Sequence, residues 1–260
     1  MDWFNTLSEI RELPPSAATA LHEHGFTVIH GPVPSSRTRA LSETYDTEVS
    51  LATGDDVRVG STTTRVSDFV NRGAAFDDIY TCPRLLEACC LVIGRPFKLS
   101  SLLARTLRPH QPAQGLHVDV QAASADWPLF GFILMIDEFR PDNGATRFVP
   151  GSHRLPGPPN GVSGDLAADH PEQVLACGPA GSLLIFNGST WHGHAANSSD
   201  HSRRSLQGFF VPRTGHAATD FGGRMTAETG RRLSPLAKYL LAIEGVGGMQ
   251  LNSMSGRQDR

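Results

Sequence analysis

The chain has 260 residues, of which 39% are hydrophobic and 19% charged, enough for a buried core in one large domain or two small ones. A net charge of -3 argues against a nucleic-acid or anionic-membrane partner. The four cysteines, Cys82, Cys89, Cys90 and Cys177, form no C-x-x-C pair, which argues against a disulfide framework and for a reducing compartment.

Along the chain, the opening stretch "MDWFNTLSEIRELPP" has no basic region followed by an apolar run, so no signal peptide is expected and the cytoplasm is the expected location. "PPSAATALHEHG" starts with proline and ends with glycine, which predicts a short helix. "FTVIHG" reads as a strand, and "SSRTRALSETYDTEVSLA" as a helix opened by serines. "CPRLLEACCLVIG" is apolar at helical spacing and stops at Gly94.

From residue 97 the texture changes. "FKLSSLLARTL", "LFGFILMIDEF", "ATRFVPG", "GSLLIFNG" and "RSLQGFFVP" are short apolar or alternating runs bounded by Gly, Pro, Asn and Asp, and read as strands. Short strands with long connections suit a double-sheet jelly roll. The longest apolar run, "PLFGFILMI", is far too short for a membrane span. Residues 155–177 are rich in Gly, Pro and Asp and carry no period, as in a functional lid. "SPLAKYLLAIEG" reads as a last helix. The expected fold is therefore mostly β with flanking helices, a cupin-like double-stranded β-helix in a single domain over 1–260. Within it, residues 1–96 give mainly helical support, 97–215 the jelly-roll core, and 216–260 a C-terminal helix and tail.

The stretch "QGLHVDVQ" places His117 and Asp119 two residues apart. On a strand such residues share a face, so an imidazole and a carboxylate could meet one ion. H-x-D alone is a weak signal, and a polar turn is its ordinary meaning. A third ligand is available in "STWHGHAANSSDHSRRSL", where His192 follows a strand and a turn. His117, Asp119 and His192 would make a two-histidine, one-carboxylate set that suits non-haem Fe(II) and leaves positions open. His194 competes with His192, lying two residues further on. Arg203 follows His192 by eleven residues at the start of a strand and offers a bidentate clamp for a carboxylate such as the far end of 2-oxoglutarate. Arg204 is adjacent, and on a strand only one of the pair faces inward; a solvated basic rim is the alternative for both.

Four blocks occur in one order: "LHVD", "DNGATRFVPGSHR", "GSLLIFNGSTWHGHAANSSDHSRR" and "RLSPLAKYLL". In these, over about residues 97–241, the chain resembles the phytanoyl-CoA dioxygenase family of Fe(II)/2-oxoglutarate-dependent oxygenases. The resemblance implies His117, Asp119 and His192 as iron ligands, with His192 rather than His194 in the distal position. It implies Arg203 as the partner of the cosubstrate's C5 carboxylate. Thr146 matches a position that helps bind 2-oxoglutarate in secondary-metabolite members, and Gln114 lies just before the metal segment. The strand "LLARTL" supplies a further cosubstrate contact in the family, with Arg105 and Thr106 as the candidates. His153 fits the family's turn.

Related halogenases carry a small residue in place of the aspartate, so Asp119 implies oxygenation over halogenation. The cofactors implied are Fe(II), 2-oxoglutarate and O2, and the partner a small-molecule substrate. The "NGATR" and "LHVD" blocks look closer to the natural-product members. Expected chemistry is hydroxylation, or another oxidation, of an unactivated C–H with release of succinate and CO2. Three alternatives compete: a protein side-chain hydroxylase, a non-catalytic jelly-roll binding module, and a cupin using another metal. Arg65, Phe69, Asn71 and Trp127, in two segments that could cover the site, are the substrate-contact candidates.

Overall fold

The computed structural model describes residues 2–121, 126–157, 159 and 166–243. Its helices are α1 (Trp3–Ser8), α2 (Pro15–His24), α3 (Ser35–Leu51), α4 (Asp77–Tyr80), α5 (Pro83–Ile93), α6 (Phe221–Arg224), α7 (Ala227–Arg232) and α8 (Pro235–Leu240). Its strands are β1 (Phe26–His30), β2 (Val57–Val59), β3 (Thr63–Val66), β4 (Phe97–Leu107), β5 (Phe130–Met135), β6 (Thr146–Phe148), β7 (Val174–Ala176), β8 (Ser182–Asn187), β9 (His192–His194) and β10 (Arg203–Pro212). A seven-stranded antiparallel sheet of order β1-β8-β5-β10-β4-β3-β2 faces a three-stranded sheet of order β7-β6-β9. This is the jelly roll the strand pattern predicts.

The longer predicted elements form as expected. α2 and α5 each carry proline in the first turn and end on a left-handed glycine, Gly25 and Gly94. α5 buries Leu85, Leu86, Ala88, Cys89 and Ile93 against the large sheet. The first third holds three strands where one was expected. β2 and β3 are only three and four residues long, too short for their period to register, and β3 carries Thr63, Thr64 and Arg65 before its one apolar residue, Val66. In the long connection, residues 158 and 160–165 lie outside the described residues, and its far end forms the short β7. Residues 244–260, the end of the predicted last helix and the tail, lie outside them too.

The strand alternation sorts the large sheet into two faces. Phe130, Phe132 and Leu134 of β5, Leu183 and Ile185 of β8, and Leu206 and Phe210 of β10 point to the helices and share one core with them. Ile133, Met135, Leu184 and Phe186 point the other way, with Phe139 and Phe148, into the space between the sheets. That inner space holds the candidate site. Gly131 makes it possible: a Cβ there would collide with the Phe186 ring, which lies across from it in the β5–β8 register.

Gly131→Ala should overpack the inner face and lower stability by about 1–3 kcal/mol. Urea unfolding measures it; an unchanged midpoint would mean that Phe186 moves aside freely.

Candidate active site

The segment carrying His117 and Asp119 is not a strand. It lies beside β9 through one antiparallel bridge, in which His117 and His192 exchange backbone hydrogen bonds of 2.9 Å in both directions. Asp119 is turned inward by its own N–H, which donates to the Gly188 carbonyl at 2.9 Å. The same-face argument for H-x-D therefore holds for a different reason: a bridge and a bend, not a pleat. The close approach needs Gly193, because a Cβ there would stand 2.9 Å from the Gln114 carbonyl oxygen. The turn before His192 is pinned on the end of α2. Gly25 O accepts from Asn187 N at 2.8 Å and from Thr190 Oγ1 at 3.1 Å.

The result is a three-donor cluster. One atom each from His117, Asp119 and His192 lie within 4.8 Å of one another. His192 Nε2 stands 3.4 Å from Asp119 Oδ2. The Asp119 residue is exposed at its backbone, but its side chain is only 22% exposed. The orientation of both rings is fixed from behind. His117 Nδ1 bonds the Gly115 carbonyl at 3.1 Å, and His192 Nδ1 bonds the Thr190 carbonyl at 2.8 Å. A carbonyl only accepts, so Nδ1 carries the hydrogen in each ring and Nε2 keeps its lone pair toward the cluster.

Burial holds His117 down to about 4, and neighbouring His192 adds to this, so the imidazole is neutral at pH 7. Burial pulls the Asp119 carboxyl upward, but His192, His117 and Arg105 together outweigh it and hold it below its ordinary value. Two imidazoles and a carboxylate on one side of a cavity fit a divalent non-haem iron. Phe148 and Phe186 close the cluster from within, with ring centres 5.4 and 4.9 Å from that of His192.

Arg203 is 3% exposed and faces inward, its guanidinium 4.1 Å from the Phe139 ring centre. Its Nε is buried without a hydrogen-bond partner. Burial, then the nearby Arg105, brings its pKa down to about 9. Leaving a cation buried and unpaired is costly, so this position is built for an incoming anion. Arg204 points outward instead, with its side chain on Asp137 and Asp46. Among the described residues, one side chain of the adjacent pair has no hydrogen-bond or ion-pair partner and the other is paired with carboxylates, as strand alternation allows.

The remaining candidates divide. Thr146 is buried and shares the inner face of β6 with Phe148, opposite His194 in the register. Arg105 points to the same inner face, donating to Gln114 Oε1 at 3.0 Å and to Gln207 Oε1 at 3.4 Å. That contact turns the Gln114 amide toward Arg105. Thr106 faces the other way, bonded to the Tyr45 hydroxyl at 3.1 Å. His194 stands outside the cluster, with Nε2 3.1 Å from Thr62 Oγ1. His153 bonds the His22 carbonyl and holds its turn.

Two substrate candidates are structural. Phe69 is fully buried in the helix-side core, and Asn71 is tied to Asp68 and the Arg224 carbonyl. Trp127 packs on the His153 ring, and residues 122–125 of its loop lie outside the described residues. Arg65 lines a cavity beside the cluster. The sequence reading missed Arg147, which is fully buried and donates to the carbonyls of Gln114, Leu166 and Ala168. It lies inside "NGATR", one residue from Thr146, where any outward strand position looks solvated.

A jelly roll carrying this donor set and a buried unpaired arginine defines the class of Fe(II)/2-oxoglutarate-dependent dioxygenases. The family model described as "Phytanoyl-CoA dioxygenase (PhyH)" matches residues 21–205, and the chain belongs to that family.

Among curated relatives, the dioxygenase cdmA of Talaromyces verruculosus is 38% identical over 112 residues, covering 38% of this chain and 35% of that protein. The dioxygenase aneA of Aspergillus aculeatus is 25% identical over 247 residues, covering 87% of this chain and 82% of that one. The iron/alpha-ketoglutarate-dependent dioxygenase okaE of Penicillium ochrochloron is 27% identical over 207 residues, 72% of this chain and 67% of that one. Among solved structures, HygX from Streptomyces hygroscopicus with nickel and 2-oxoglutarate bound has a TM-score of 0.65 at 16% identity, over 79% of this chain and 89% of that one. The epimerase SnoN in complex with Fe3+, alpha ketoglutarate and nogalamycin RO has a TM-score of 0.61 at 22% identity, over 76% of this chain and 83% of that one. Iron and 2-oxoglutarate are thus this enzyme's cofactor and cosubstrate. Among the described residues no helix is long and apolar enough to cross a membrane.

Burial holds His117, His153 and His194 each down to about 4 from an ordinary 6.5. Between those values the unfolded chain binds protons that the folded chain does not. Asp77, pushed up to about 6 by burial, acts in the opposite sense, but through one group against three. Metal-free protein should therefore lose stability as pH falls from about 6.5 toward 4. Urea midpoints at pH 7 and pH 5 measure this, and an equal or higher midpoint at pH 5 would contradict it.

Proposed function

We propose that this dioxygenase oxidises an unactivated C–H bond of a small molecule, converting 2-oxoglutarate and O2 to succinate and CO2 as the substrate gains a hydroxyl. The observation that carries this reading is the unpaired, buried Arg203 guanidinium on the same inner face as the three-donor cluster. A metal-binding cupin without an acid cosubstrate has no use for that charge.

In this reading His117 Nε2, His192 Nε2 and one Asp119 oxygen hold the iron. The Gly115 and Thr190 carbonyls keep both rings in the binding tautomer. When bound, iron and 2-oxoglutarate together supply the oxidising power for C–H cleavage, chemistry that belongs to the cofactor. The chain positions and excludes. Arg203 takes the C5 carboxylate of 2-oxoglutarate, with Phe139 stacked on its guanidinium to hold the plane. Thr146, Gln114 and Arg105 stand on the same inner side as candidate contacts to the rest of the cosubstrate. Phe148 and Phe186 keep water from one side of His192. Asp119 occupies the carboxylate position, which favours oxygenation over halogenation. That HygX is described with hygromycin B bound, and SnoN with nogalamycin RO, supports a small molecule as substrate here.

His117→Ala should abolish the Fe(II)-dependent absorption band formed with 2-oxoglutarate under argon. Arg203→Met should keep Fe(II) binding but weaken 2-oxoglutarate at least tenfold, the loss of a charge-assisted pair. The same change should raise the unfolding midpoint of the protein without cosubstrate, since it removes an unpaired buried cation. Unchanged 2-oxoglutarate affinity in Arg203→Met would sink the cosubstrate assignment.

A further inference from the structure

A second cationic feature leads out of the site. Arg58 and Arg65 are register partners across β2 and β3, and Arg65 and Arg105 are partners across β3 and β4. Cross-strand partners share a face, so three guanidiniums stand in a row over three neighbouring strands. All three line one cavity of about 520 Å3. Its other walls carry Ser61, Thr62, Thr63, Gln111 and Gln114, and among the described residues no Asp or Glu lines it. The cavity lies beside the candidate metal cluster: its lining includes Gly115, whose carbonyl orients His117.

Like charges placed directly opposite one another on a sheet are unfavourable. A solvated rim would account for Arg58 and Arg65 alone, since both are exposed. It does not account for their alignment with Arg105, whose Nε, among the described residues, is buried without a hydrogen-bond partner and whose side-chain hydrogen bonds go to neutral amide oxygens. Among the described residues the side chains of Arg58 and Arg65 make no hydrogen bond or ion pair, whereas Arg72, Arg204, Arg224 and Arg232 each have carboxylate partners. Among the described residues, acidic partners are thus supplied to arginines elsewhere in the fold and not to these two.

The geometry points to an oxyanion-binding site for the substrate: the molecule oxidised carries a carboxylate, phosphate or sulfate that Arg65 and Arg58 hold, with Arg105 at the inner end. This deepens the function proposed above and rests on it for what happens to the molecule. The anion site itself is measurable without turnover. The bound group would lie along the ladder, and the C–H to be oxidised would lie inward of it, toward the cluster. Thr62, in the loop between β2 and β3, reaches His194 on β9 and so ties the outer wall of this cavity to the strand that carries His192.

The test uses the full chain with Fe(II) and saturating 2-oxoglutarate under argon, so that Arg203 is already engaged. It is titrated calorimetrically with phenyl phosphate, benzoate, inorganic phosphate and neutral benzyl alcohol. The aryl oxyanions should bind more tightly than inorganic phosphate, and benzyl alcohol should not bind. Arg58→Gln and Arg65→Gln should each weaken phenyl phosphate about tenfold, and Arg65→Lys should recover most of that loss. Thermal unfolding without anion should show neither glutamine variant less stable than the parent, since each removes a like charge. Benzyl alcohol binding as well as benzoate, or parent affinity for phenyl phosphate in both glutamine variants, overturns the proposal. The Fe(II)/2-oxoglutarate absorption band in the same samples judges the metal and cosubstrate reading separately, so the two can fail independently.

Discussion

Everything at the candidate site depends on one pair of backbone hydrogen bonds, those exchanged by His117 and His192. They join a loop segment to a three-residue strand, two pieces of chain separated by more than seventy positions. Neither piece is held by a long ladder. β9 pairs with β6, β6 with β7, and each of these strands has three residues. Register is therefore imposed from outside. The end of α2 grips the turn before His192, and the Arg147 guanidinium grips the Gln114 carbonyl. Gly193 admits the approach. A buried arginine and a glycine thus set the ligand geometry without supplying any ligand.

The large sheet has the complementary task. Its helix-side face is apolar and closely packed, and contributes most of the buried surface. Its inner face mixes apolar side chains with Arg105, Ser205, Gln207 and Arg203, which are poor core residues and good binding groups. Stability is drawn from one face and spent on function at the other, an arrangement open to any antiparallel sheet because successive side chains point to opposite faces.

Much of this was legible in the sequence because the determining signals are local. Proline and glycine bracket α2 and α5, and apolar runs between turn residues mark β4, β5, β8 and β10. The site candidates were found by spacing and by the order of four motifs, and the structure gathers His117, Asp119 and His192 within a few ångströms. What escaped was set by tertiary contact. β2 is a single Val-Arg-Val alternation and β3 is mostly polar, both too short for a period to stand out, because they pair at an edge and one face meets a polar cavity. Phe69 and Asn71 lie in a segment that looks like a lid, yet one is core and the other ties Asp68 to the Arg224 carbonyl. Arg147 looked like a surface strand residue because nothing local reveals that four carbonyls converge on it.

The β2–β3 hairpin hangs on the sheet through β4 alone, at the end of the strand order. The cluster donors come from the opposite side of the barrel, from β9 and the segment beside it. The Thr62–His194 contact links the two parts. On the binding proposed above, a change confined to the hairpin exchanges recognition groups without touching the three cluster donors. Such a division lets one scaffold diversify its repertoire by changes confined to about ten residues of edge, at little risk to the fold that carries them.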